Sequence, residues 1–122
     1  MGQTCNTIAF AVDLPDYEDD LGDRIYDAAH DFKPMCGTIF HDVGLIGFEL
    51  ATGGSGHAKT IDLPPCLELT RSGIRAHKGL AEMIAKAEKH WPQFVTRINK
   101  ASGGAVKLSG KPRLFLTVTE TA

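Results

Sequence analysis

A glycine-rich segment at residues 53–60 reads Gly-Gly-Ser-Gly-His-Ala-Lys-Thr and comes nearest to a known chemical motif. It differs from a phosphate-binding P-loop by one residue, because Ala58 stands where a glycine precedes the lysine. A P-loop also needs a helix at its end, and Pro64 and Pro65 oppose one there. The segment instead predicts a glycine-rich hairpin arm around residues 52–63, whose candidate anion- or partner-binding residues are Ser55, His57 and Lys59.

Histidine and cysteine are the other residue types that could carry catalysis or bind metal. No two of the five histidines and three cysteines have metal-ligand spacing on one predicted element, so we expect no metal or other cofactor. A Cys–His nucleophile needs its thiol within hydrogen-bond reach of the imidazole. If Cys36 extends the strand that ends at His41, its side chain points toward the core and away from His41, which predicts a buried, unreactive thiol.

Carboxylates are concentrated near the N-terminus. Residues 1–31 hold eight acidic residues and one basic residue, a net charge of −7, whereas residues 69–122 have a net charge of +7. The densest group of carboxylates, at residues 16–23, lacks the order of ligands that a calcium-binding loop requires. It is typical of a solvated helix start, where the helix dipole favours carboxylates, or of a surface that imitates nucleic-acid phosphates. Its candidate partner-binding residues are Asp16, Glu18, Asp19, Asp20 and Asp23.

The elements that position these residues are read from apolar spacing. Alternation over 7–12 predicts a strand, and apolar steps of three or four predict a helix capped by Asp13 that ends before Pro34. A hairpin follows at 38–41 and 45–50, then a short strand within 57–63. A second helix runs from a Ser72 cap to about residue 90, where Pro92 should kink or restart it. A strand over 113–119 closes the chain.

This order predicts a single α+β domain over residues 1–122, with a ferredoxin-like split β-α-β antiparallel sheet, two helices on one face and the glycine-rich hairpin arm. Pairing His41 with Leu45 would place Phe40 and Ile46 on the face that the helices cover, and the opposite face would have no helix on it. Soluble proteins rarely leave a large apolar surface exposed, so a second copy of the chain would cover this face. We therefore expect a homodimer. The residues predicted on this dimer-forming face are Ile39, His41, Leu45 and Phe115.

Composition limits the function classes further. No run approaches the roughly 20 apolar residues of a membrane helix, and the start lacks a basic signal-peptide region, so we expect a cytoplasmic protein without membrane contact. The predicted open face lacks the aromatic platform of RNA-binding sheets, so direct nucleic-acid binding is not expected.

These features favour a small binding or inhibitory interaction module that acts as a homodimer. Two alternatives stay open at this point. One is a small enzyme with a pocket at the sheet face or dimer interface, using His41 or His57 as acid or base. The other is an acidic decoy that blocks a nucleic-acid-binding partner.

Overall fold

The computed structural model describes residues 3–55, 66–71 and 78–121, which form an α+β fold with a five-stranded antiparallel sheet and two helices. The strand order is β2-β3-β1-β5-β4. Neither described helix has the length and apolar character that crossing a membrane requires. The elements are β1 (Gln3–Asp13), α1 (Asp19–His30), β2 (Gly37–Phe40), β3 (Leu45–Ser55), β4 (Cys66–Leu69), α2 (Lys78–Ala101) and β5 (Arg113–Thr121).

Strand β1 is the centre of the sheet and pairs with β3 on one side and β5 on the other. Phe10 lies opposite Phe48 in β3 and Leu114 in β5, so the large side chains share one face. Alternation places Ala9 and Ala11 on the opposite face. The helices therefore cover the face that carries Phe10, and β1 contributes only alanines to the centre of the opposite face.

Both helices pack on the large-residue face. The amphipathic stripe of α1 buries Ile25 and Ala29, and that of α2 buries Phe94 and Ile98. Aromatic rings join α2 to the sheet, with centroid distances of 4.7 Å between Phe48 and Phe94 and 5.5 Å between Phe48 and Trp91. These separations are typical of aromatic pairs in protein cores.

The hairpin register differs by one residue from the sequence expectation. Phe40, rather than His41, pairs with Leu45, and Ile39 pairs with Ile46. The connection is a four-residue turn over 41–44, in which Gly44 has a positive φ of 67° and Val43 donates its N–H to the Phe40 carbonyl. Because side chains alternate along a strand, the shift moves Ile39 to the helix-covered core and Phe40 to the opposite face.

Helix α1 begins later than its sequence predicted. The predicted cap, Asp13, is the last residue of β1, and the N-cap is Glu18. The backbone N–H of Leu14 donates to the Gly44 carbonyl at 2.7 Å, so this segment is tied to the hairpin turn. Leu14 and Tyr17 still pack against the core, but from the connection that precedes the helix.

Helix α2 continues through Pro92 and ends at Ala101, so the helix does not restart after this proline. Proline removes one main-chain hydrogen bond from a helix interior. Trp91, Phe94 and Ile98 are all buried in one core on either side of this position, and their packing favours a continuous helix. The predicted cap at Ser72 lies outside the described residues.

The glycine-rich segment has only its first part described. Gly53 and Gly54 continue β3, opposite Asn6 and Cys5 of β1, where the sequence had placed the start of the arm. The predicted strand within 57–63 lies outside the described residues, and so does the tip of the arm. Strand β4, which the sequence did not predict, pairs with β5.

Removing the Phe94 ring tests the aromatic core. Phe94 is fully buried and contacts Phe32, Phe48 and Trp91, so Phe94→Ala leaves a cavity and should lower the free energy of unfolding by about 3–5 kcal/mol. Tyr26→Ala, at an exposed position of α1, serves as the control and should change it by less than about 0.5 kcal/mol. Urea unfolding followed by circular dichroism measures both. Equal effects of the two substitutions would contradict this arrangement of the core.

Candidate functional site

The predicted acidic residues lie together around the start of α1. We call Asp16, Glu18, Asp19, Asp20 and Asp23 the acidic surface. All five are exposed, and within the described parts of the chain none of them forms an ion pair. Asp19 and Asp20 occupy the first turn, where the positive end of the helix dipole offsets part of their mutual repulsion.

Tyr17 fixes the acidic surface against the hairpin turn. Its ring packs against Gly22, where a Cβ would collide with the ring. Its hydroxyl lies 3.4 Å from Nδ1 of His41. His41 is therefore an exposed turn residue beside the acidic surface, not a residue of the sheet face as the sequence predicted.

The sheet face opposite the helices carries a second, smaller apolar cluster. Ala9, Ala11, Leu45 and Phe115 form its buried centre, and no described residue of either helix belongs to it. Leu45 and Phe115 are on the predicted face, but only 2% and 6% exposed in the single chain. The expectation of bare apolar side chains there is therefore wrong. The partly buried rim of the cluster consists of Phe40, Val43 and Cys66.

Arg113 crosses one side of this face and covers Phe115. Its guanidinium carbon lies 5.1 Å from the centre of the Phe115 ring, a cation–π arrangement. Its nitrogens also lie 3.4 Å from Oδ2 of Asp13 and 3.5 Å from Oε2 of Glu68. Because all three charged side chains are largely exposed, these ion pairs contribute little to stability.

The Cys66 thiol lies beside this charged group. Partial burial raises its pKa, and the negative charges of Asp13 and Glu68 add to the increase while Arg113 opposes it. A raised pKa keeps the thiol protonated at neutral pH, and the thiolate is the nucleophilic form. Cys66 is therefore poorly suited to nucleophilic catalysis.

A basic cleft at the same end of the sheet was not found from the sequence. Its volume is about 460 Å³, and its charged lining consists of the cations Lys107, Lys111 and Arg113 and one carboxylate, Asp13, which is paired with Arg113. Val12, Leu14 and Pro15 form its apolar side, and Ser109 and Gly110 complete the loop that borders it. The three cations lie within seven residues around a Ser-Gly turn, which is the sequence signal that could have indicated them.

The loop that carries the basic cleft is firmly anchored. Val106 and Leu108 are buried, and their alternation with exposed residues directs Lys107 and Ser109 outward. The Leu108 N–H donates to Oδ1 of Asn99 at 2.7 Å, and the Val106 N–H donates to the Ser102 hydroxyl at 3.2 Å. The loop backbone is thus held in place by Asn99 of α2 and by Ser102, which follows the helix.

Cys36 and His41 do not form a catalytic pair. They flank the four residues of β2, so about 16 Å of extended chain separates them. Cys36 is exposed and not buried as predicted, because it precedes the strand and borders a cleft with Lys33 and Lys86. Among the residues that the structure describes, no three His, Cys, Asp or Glu side chains form a group able to hold a metal ion.

The remaining predicted contact residues are described only in part or not at all. Ser55 is the last residue of β3, where its backbone pairs with Thr4. His57 and Lys59 lie outside the described residues. Comparison of the chain with protein-family models, curated proteins and solved structures finds no match.

The pKa of Cys66 yields a test of the charged group around Arg113. Asp13→Asn removes a nearby negative charge and frees Arg113, and both changes lower the thiol pKa. We expect the pH profile of Cys66 alkylation by iodoacetamide, measured by peptide mapping, to move to lower pH. Asp23→Asn is the control and should leave the profile unchanged, because Asp23 does not contribute to this pKa. In the native chain the profile should lie above that of the same thiol in urea; a profile at or below it would contradict the assignment.

Proposed function

We propose that the chain is a small binding or inhibitory module that acts as a homodimer. The observation that carries the proposal is the acidic surface, five carboxylates that are exposed and, in the described part of the chain, free of ion pairs. Like charges this close repel one another and lower stability. Their presence on a well-anchored helix start is consistent with selection for contact with a partner.

We propose that the fold is ferredoxin-like with an added edge strand. The order β2-β3-β1-β5 is the arrangement in which two β-α-β units interleave, and β4 extends it beyond β5. The helix-free side of such a sheet is available for contacts, and the glycine-rich hairpin arm is proposed to contribute Ser55, His57 and Lys59. Free thiols at Cys36 and Cys66 support a reducing, cytoplasmic location.

Homodimer formation draws limited support from the sheet face. Leu45 and Phe115 are already buried within one chain, and Ile39 faces the helices. Among the described residues of this face, the apolar area left for a second copy is the rim around Phe40 and Val43. Charged surfaces therefore supply the stronger reason for self-association.

An enzyme that uses His41 has less support than a binding module. His41 is exposed, its recorded side-chain contact is the Tyr17 hydroxyl, and the nearby Cys36 is separated from it by β2. His41 also does not line either of the clefts described above. The alternative that uses His57 concerns a residue outside the described part of the chain.

The second candidate function is an acidic decoy for a nucleic-acid-binding protein. Asp20, Asp23 and Asp27 are exposed at steps of three and four along α1, and Asp31 follows at the C-cap. Residues at these steps lie about 5–6 Å apart on one helix side. Arg24 interrupts this stripe, four residues after Asp20, which is why the decoy ranks second.

The homodimer is tested by the mass of the chain in solution. Multi-angle light scattering at micromolar concentration should give twice the chain mass of 13.2 kDa. The monomer mass across the concentration range would contradict the proposed homodimer.

Neutralising the acidic surface tests its role in association. The triple variant Glu18→Gln, Asp19→Asn, Asp20→Asn should change stability by a few tenths of a kcal/mol per site, because these side chains are exposed and unpaired. It should lose most of the binding partner that the native chain captures, whether that partner is a second copy of this chain or another protein of its host. The matched control is Asp27→Asn, Asp31→Asn, Glu82→Gln, which changes the net charge equally elsewhere. Equal capture by the triple variant at normal stability would contradict a contact role, whereas loss in the control alone would favour the decoy stripe.

A further inference from the structure

Surfaces of opposite charge meet at one end of the fold. Pro15 borders the basic cleft, and the next residue, Asp16, begins the acidic surface. We propose that the basic cleft of one copy receives the acidic surface of a second copy, and that the contact is made twice around a two-fold axis. This inference rests on the proposed homodimer and names its interface.

The basic cleft has the charge and the fixed shape of a receiving site. Lys107 and Lys111 are exposed and, within the described residues, form no ion pair. Arg113 is shared between two exposed carboxylates at 3.4 and 3.5 Å, so its hydrogen-bonding capacity is not fully used. Buried anchors on both sides of Lys107 hold the loop, so little conformational freedom is lost on binding.

The acidic surface has the charge and the fixed backbone expected of the group that the basic cleft binds. Its carboxylates project from a helix start that is fixed by the packing of Tyr17 on Gly22. The connection before it is tied to the hairpin turn by the bond from Leu14 to Gly44. Both members of the proposed contact are therefore held on rigid backbone, which favours specific docking over loose attraction.

Adjacency of the two surfaces is what favours a second copy over an unrelated acidic partner. In a two-fold dimer, each patch of one copy meets the complementary patch of the other. Two neighbouring patches of opposite sign can satisfy this condition in one interface, with the axis passing between them. An unrelated acidic protein would fill the basic cleft but leave the acidic surface unpaired.

A charge-swap experiment tests this interface. One variant carries Lys107→Glu and Lys111→Glu, and the other carries Asp19→Lys and Asp20→Lys. Each variant alone places like charges in both contacts, so each should be monomeric by sedimentation velocity. Mixed one to one, they have opposite charges in both contacts and should form a heterodimer. Lys89→Glu with Lys100→Glu, at exposed positions of α2, is the matched control and should stay dimeric.

The possible results separate this interface from the homodimer itself. Swapped variants that each remain dimeric would overturn the interface but keep the homodimer. Monomeric variants that do not associate on mixing would also overturn it. A monomeric native chain would refute both proposals, and binding of inorganic phosphate lost in Lys107→Glu would then make the cleft a small-anion site.

Folding of the variants is checked by thermal unfolding followed by circular dichroism. The milder pair Lys107→Gln and Lys111→Gln keeps the loop's main-chain bonds and should still weaken the dimer about tenfold or more. An unchanged dimer in this folded variant would overturn the interface even if a charge-swap variant does not fold.

Discussion

Packing of Phe48 against Trp91 and Phe94 is the contact on which the rest of the structure depends. It holds α2 on one face of the sheet, and Phe32, which follows the C-cap of α1, contacts both Phe48 and Phe94. Since aromatic burial stabilises a small domain more than its surface pairs do, this core decides which face is covered. The acidic surface and the basic cleft lie outside this core.

Close pairing of the central strands adds a second constraint. A Cβ at Gly47 would collide with the Phe10 carbonyl oxygen and the Ala11 backbone, so β1 and β3 approach as they do because this position is glycine. The same pairing aligns the ends of the strands, where Asp13 lies opposite Leu45. The start of α1, the hairpin turn and the basic loop consequently meet at one end of the sheet.

Apart from β4, the types and order of the described elements followed from apolar spacing, but details that depend on turns and tertiary contacts did not. Alternation identified β1 and β5, and the buried stripe identified α2. The hairpin register was wrong because a four-residue turn and a three-residue turn are both compatible with Asp42-Val43-Gly44. The start of α1 was wrong because the bond from Leu14 to Gly44 joins residues that are distant in sequence.

The candidate site was predictable to a similar extent. Its acidic half followed from local composition, since Asp16 to Asp23 form one dense run. The basic cleft did not, because Val12 and Lys107 come from segments almost one hundred residues apart. The burial of Phe115 also depends on its neighbours in the folded chain, including the guanidinium of Arg113, which alternation within a strand does not reveal.

We propose that self-association depends on complementary charge and not on the apolar face of the sheet. Sedimentation equilibrium of the native chain at about 0.05 M and about 0.5 M sodium chloride tests it most directly, because screening weakens exposed charge pairs but not apolar burial. We expect a dimer whose dissociation constant rises about tenfold or more at the higher salt concentration. A dimer that is equally tight or tighter at high salt would contradict it.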